Sequence, residues 1–200
     1  MTISFTSASV LDRGSTKITI VAVFTALALA TNYALIGIPN VKLMDTLVFI
    51  AAFSFGLRLG LGVAISIWPV YGFINPYGVD SILMLAFLMI GESFYALAGS
   101  VLRTSFASED IFRGTREYEQ LAITFGFAGL LATFAYDLLT NFGSWIFRTG
   151  SLYQDFIVGN IIGVPFSLAH EASNVIFFAT VAPAFLLAAS RLRLRTPGMS

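Results

Sequence analysis

Few side chains in this sequence are equipped for chemistry, and most of them sit inside long apolar runs. Asp137 and Asn141 stand four residues apart, as do His170 and Asn174, so each pair shares one face of a helix. Glu171 follows His170, Glu92 interrupts the run 79–102, Asp45 comes three residues after Lys42, and Asn32 falls late in the first apolar run. An ionisable group inside a membrane segment costs about 2.5–3.5 kcal/mol on insertion scales, so such groups are paired or functional.

Several chemistries can be set aside. The run His170-Glu171-Ala172-Ser173-Asn174 resembles the start of a zinc-protease helix, but Asn174 stands where a second His is required. With one His and no Cys, a zinc site of that kind cannot be assembled, and no metal or cofactor is expected. A serine triad would need the same His beside an activated Ser, and no Ser stands out near Asp137. There is no Gly-rich phosphate loop, so any active transport draws its energy from another protein. Zero net charge argues against a nucleic-acid footprint. The chain is therefore not expected to be an enzyme. Two alternatives stay open: a structural or assembly subunit of a membrane complex, and an intramembrane enzyme using Asp137, Glu92 or His170 as acid and base.

The elements that must position these groups are membrane helices. The chain is 57% hydrophobic and only 11% charged, with mean hydropathy +0.85, whereas a soluble domain carries about 25% charged residues. A bilayer core needs about 20 apolar residues per helix. On that ruler segments fall near 17–36, 41–57, 59–74, 79–102, 121–147 and 155–190. The fold class expected is an all-α, six-helix transmembrane bundle, with tails at 1–16 and 191–200 around a membrane domain at 17–190. The first segment is too long for a signal-peptide core. Gly56-Leu57-Arg58-Leu59-Gly60 reads as a tight helical hairpin, and Pro165 is expected to divide an outer loop or interfacial helix from a final span near 166–190.

Six spans place Arg13, Lys17, Arg58, Arg103, Arg113, Arg116, Arg191, Arg193 and Arg195 on one side and only Lys42 and Arg148 on the other. By the positive-inside rule both termini are cytoplasmic, in a multi-pass cell-membrane protein. The polar stretch 103–120 becomes a cytoplasmic loop, and Arg58 an anchor.

Except for Glu92, the polar groups then gather in the outer half of the bundle, beside Trp68, Tyr71, Asn75, Tyr77, Tyr136, Trp145 and Tyr153. An aromatic belt explains a single Trp or Tyr at that depth; it does not explain carboxylates and amides there. Aromatic walls with a few convergent polar groups suit a small-molecule pocket. The expected substrate-binding set is Asp45, Trp68, Tyr71, Asn75, Glu92, Tyr136, Asp137, Asn141, Trp145, His170, Glu171 and Asn174. Glu92 has a structural role as its equal alternative. Carboxylates at Asp45, Asp137 and Glu171 favour a ligand with several donors or a cationic amine. Asn40 and Asp80 read as N-caps, and Asp45 is placed to pair with Lys42.

In the first segment, Ala22, Ala26 and Ala30 recur every fourth residue, a stripe that lets another helix approach closely. Together with the size and span count, this stripe, the run IPNVKLMDTLVFIAAFSFGLRLGLGVAISIWPVYGFINPYG (38–78), GESFYALAGSVLR (91–103) and LAHEASNVIFFATVAPAFLL (168–187) resemble the substrate-binding S components of energy-coupling factor (ECF) transporters. The resemblance implies a non-enzymatic protein that captures a vitamin or related micronutrient from outside. It implies association with a transmembrane scaffold subunit and two cytoplasmic ATPases, with Ala22, Ala26 and Ala30 facing the scaffold.

Overall fold

The computed structural model describes residues 13–75, 78–106 and 115–194, without the side chains of 115–117 and 190–194. Tyr77, Arg113, Arg195 and the middle of the polar stretch, 107–114, lie outside the described residues. Among those described there are six helices and no strand: α1 (Gly14–Ala34), α2 (Met44–Phe55), α3 (Leu57–Tyr71), α4 (Ile82–Ser105), α5 (Thr115–Trp145) and α6 (Leu152–Leu194).

Four stretches, 14–34, 82–105, 118–145 and 152–189, are long and apolar enough to cross a membrane. The sequence led us to expect six such spans. The other two helices, α2 and α3, have 12 and 15 residues, about 18 and 22 Å of rise. Length is scarce there because Gly56 turns the chain after Phe55 at φ 94°, a backbone strained for any residue with a Cβ. α2 is instead an interior helix: Met44 through Phe53 are all buried.

Contacts fix the directions. Gly60 of α3 lies against Ala52, folding α2 and α3 into a hairpin, while Gly99 of α4 meets the Phe49 carbonyl, so α2 and α4 run together. α4 and α5 are antiparallel, with Gly91 against Tyr136 and Gly143 against Phe87; so are α5 and α6, with Gly129 against Phe178 and Gly163 against Asn141. Glycine thus brings backbones together at α2, the small-residue packing of membrane bundles. Phe49, Phe53, Phe125 and Phe178 form the aromatic centre, with ring centroids 4.9–6.1 Å apart. The guanidinium of Arg103 lies beside Gly56, so the α2–α3 turn and the end of α4 share one end of the molecule.

Two local expectations are corrected. Pro165 does not divide the last segment: α6 runs unbroken for 43 residues through Pro165 and Pro183. A proline removes one donor, and such a loss is tolerated where neighbouring helices support the backbone; α5 lies along α6 there. The caps also differ. Ser81, not Asp80, caps α4, accepting from the Met84 N–H at 3.1 Å, while Leu43 precedes α2 and Asn40 takes a left-handed turn at φ 55°. The Asp80 backbone N–H is spent on the Gly72 carbonyl at 3.0 Å.

This packing makes a prediction. A Cβ on Gly99 would stand 2.4 Å from the Phe49 carbonyl oxygen, and one on Gly129 2.6 Å from the Phe178 ring. Gly99→Leu should therefore destabilise the bundle by about 1–3 kcal/mol or more in denaturant unfolding in micelles. Gly37→Ala, with nothing within 4 Å of its added Cβ, should stay within about 0.5 kcal/mol. Equal effects would contradict the close approach.

Candidate functional site

The polar residues divide into two layers. The inner one is built from α2, α4, α5 and α6, and its centre is His170, fully buried. His170 Nε2 lies 2.6 Å from Asp45 Oδ2 and its Nδ1 lies 2.8 Å from Asp137 Oδ1. A neutral imidazole offers one donor and one acceptor. Two carboxylate oxygens on its two nitrogens therefore require an extra proton within the trio, on the ring or on a carboxyl group. Four residues further along α6, Asn174 Nδ2 donates to Asp45 Oδ2 at 2.8 Å and to Thr133 Oγ1 at 2.8 Å, with Tyr95 Oη 3.3 Å away. Thr133 passes the chain on to the Gly129 carbonyl.

Asp45 was expected to pair with Lys42 within its own segment. Its hydrogen bonds go instead to His170 and Asn174 across the bundle, because the first turn of α2 points into the interior. The Lys42 ammonium sits over the rings of Trp68 and Tyr136, 5.7 and 5.2 Å from their centroids.

The outer layer is a cavity of about 390 Å³ between the ends of α1 and α3, the start of α4 and the connecting loops. Asn32, Lys42, Trp68, Tyr71, Asn75 and Asp80 supply its polar and aromatic lining, with apolar side chains between them. Of the expected binding set, Trp68, Tyr71 and Asn75 line this cavity. Asp45, Glu92, Tyr136, Asp137, His170 and Asn174 lie beneath it, buried in the inner layer. The two layers meet at Trp68, whose indole N–H donates to Glu92 Oε2 at 3.3 Å. Burial pushes the Asp80 carboxyl above its ordinary range, with Lys42 opposing the shift.

Three expected residues are elsewhere. Asn141 packs against Gly163 and donates to Ser167 Oγ at 3.1 Å. Trp145 lies near the far end of the α5–α6 hairpin, with Arg148 5.5 Å above its ring. Glu171 is half-buried, one position and so about 100° around the helix from His170. Sequence reasoning missed Tyr95 and Thr133, although their spacing was readable: Tyr95 is three residues after Glu92, and Thr133 is four before Asp137. It also missed Asp155, which closes the turn between α5 and α6 by accepting from the Phe147 and Thr149 N–H groups at 2.7 and 2.8 Å.

On the outside of the bundle, Ala22, Ala26 and Ala30 are all exposed. Ala22 and Ala26, with Val21, Leu29 and Leu59, line an apolar groove of about 610 Å³. Only 17% of the α1 span is buried within the chain, against 39% for α4, so this helix has its neighbours on one side alone. No protein-family model, curated protein or solved structure matches the chain.

The inner layer yields the second prediction. His170→Leu leaves Asp45 and Asp137 buried without their shared partner and should cost about 3–5 kcal/mol. Asn141→Ala removes one peripheral hydrogen bond and should cost about 1 kcal/mol. Unfolding in lipid nanodiscs measures both, and a His170→Leu loss no larger than that of Asn141→Ala would refute the central role of the trio.

Proposed function

We propose that this chain is a membrane-embedded substrate-binding component of the ECF type, which captures a vitamin-like solute in an outward-facing pocket for uptake driven by partner ATPases. The observation that carries the reading is the cavity at the Trp68 end of α3. It lies at the opposite end of α4 from Arg103, on a bundle whose long helices suit a bilayer. With the basic end inward, the cavity opens outward, both termini are cytoplasmic, and α2 and α3 cross as a short paired span. The exposed alanine face of α1 supports the partner half of the reading: a helix of a scaffold subunit fits a groove floored by Ala22 and Ala26. Binding rather than catalysis is supported by burial, because the one His is enclosed between two carboxylates and cannot meet a solute.

A structural or assembly subunit is the second reading, and one observation favours it. Much of the expected binding set is occupied with neighbouring helices. The partner interface separates the two. Ala26→Leu places a bulky side chain on an exposed face and should leave folding intact. Under the transporter reading it abolishes co-purification with one membrane scaffold and two ATPases, identified by mass spectrometry and their Walker sequences. Co-purification of the unaltered chain with other proteins alone, or an interaction indifferent to Ala26→Leu, would overturn it.

A further inference from the structure

The cavity has a chemical character of its own, distinct from that of the acidic layer beneath it. Its lining carries one cation, Lys42, and one carboxylate, Asp80, so its formal charge is balanced. Of the other carboxylates expected to face a ligand, Asp45 and Asp137 bind His170 and Glu92 binds the Trp68 indole below the cavity, and Glu171 lies outside its lining. That last bond makes Glu92 a positioning residue, because it holds the ring that floors the cavity and is itself fully buried.

Asn32 is the informative member of the lining. It is 4% exposed, and its Nδ2 has no hydrogen-bond partner among the described residues. A buried amide donor left unsatisfied costs about 1–3 kcal/mol, a penalty that a ligand acceptor would remove. Lys42 supplies a second donor, steadied over two aromatic rings. The Trp68 N–H is already engaged, so Trp68 offers its ring rather than a donor. Tyr71 continues the aromatic surface, its centroid 5.9 Å from that of Trp68, and Tyr33 backs Tyr71 from outside the lining at 5.5 Å. The remaining lining includes Leu35, Val41 and Leu88.

We propose that this cavity binds a flat, uncharged heteroaromatic solute whose ring carbonyl accepts from Asn32 Nδ2, with Lys42 as the second donor. A cationic amine, the ligand that Asp45, Asp137 and Glu171 would favour, meets Asp80 in this lining but also Lys42. An anion meets Lys42 but also Asp80. The inference rests on the solute-binding reading above, yet it needs no scaffold or ATPase, so binding by the isolated chain and partner capture can fail separately.

The test is calorimetric binding to the purified full chain in lipid nanodiscs, corrected with protein-free nanodiscs. The probes share one bicyclic frame: isoquinolone, isoquinoline (which lacks the carbonyl), isoquinoline carboxylate and aminomethyl-isoquinoline. Isoquinolone should bind at least about tenfold more tightly than each of the others, the worth of one buried hydrogen bond. Asn32→Leu and Lys42→Met should each weaken isoquinolone by about tenfold and weaken isoquinoline, whose ring nitrogen is its one acceptor, by less. Asn32→Leu replaces an unpartnered amide with an apolar group of similar shape and should keep or raise the unfolding midpoint; Lys42→Met reports independently if it falls. Tightest binding of a charged probe, indifference of isoquinolone to Lys42→Met, or no binding of any probe would overturn the proposal.

Discussion

The structure depends on keeping carboxylates inside an apolar bundle without leaving them unpaired. Removing an ion from water into a low-dielectric interior costs several kcal/mol even after relaxation. Attraction and hydrogen bonding recover that cost only when the geometry is good. His170 provides the geometry by meeting Asp45 and Asp137 at once. Three helices, α2, α5 and α6, are thereby tied at one depth, and Asn174 adds α4 through Tyr95. Because lipid tails are as apolar as leucine, hydrophobic burial gives membrane helices little reason to associate. The polar trio and the glycine contacts around α2 do that work. A short helix such as α2 can then be interior, since its polar end is met within the bundle rather than by water.

That arrangement also decides what a solute could meet. Two carboxylates engaged with one imidazole do not face a cavity. What does face it is set by Trp68, which belongs to both layers: its N–H points to Glu92 below and its ring borders the space above. The Lys42 ammonium sits over the same ring and over Tyr136, at the boundary between the inner layer and the cavity it lines. Pocket and core are thus coupled through two side chains. A change at Glu92 reaches the cavity by freeing an indole, not by touching a ligand.

Much of the fold was legible because it follows from composition and period. Low charge and long apolar runs gave helices of membrane length, and Gly56 gave the hairpin between α2 and α3. The site was legible only as a depth. Four-residue spacing put His170 and Asn174 in one network, as expected. The same rule held for Asp137 and Asn141, which both face α6, but four residues also move about 6 Å along the helix. Asp137 reaches His170, while Asn141, one turn further along α5, meets Ser167 and Gly163 earlier on the antiparallel α6. No periodicity distinguishes an acid that faces a solute from one that faces a histidine, since that depends on a residue 125 positions away. Pro165 misled for a related reason: a broken hydrogen-bond ladder is costly for an isolated helix and tolerable beside α5.

The two kinds of small residue complete the picture. Glycines at 60 and 99 bring helix backbones into contact and Gly129 makes room for the Phe178 ring, so all three are consumed by folding. Alanines at 22, 26 and 30 have the same packing chemistry but face outward on the least buried of the four long helices. Alanine costs nothing in helix propensity and covers little surface, so a lipid-facing stripe of it forgoes the contact that leucine or phenylalanine would make with acyl chains. The twenty Phe residues show that large lipid-compatible side chains are freely used elsewhere. Under the proposed reading, that flat face on α1 takes another helix rather than lipid. It lies on the outside of the bundle, and both α1 and α3 join it to the cavity: Leu59 and Ser66 of α3 line the groove, while Trp68 and Tyr71 line the cavity. Asn32, near the end of α1 and buried in the cavity wall, is where the helix that carries the alanine face meets the cavity.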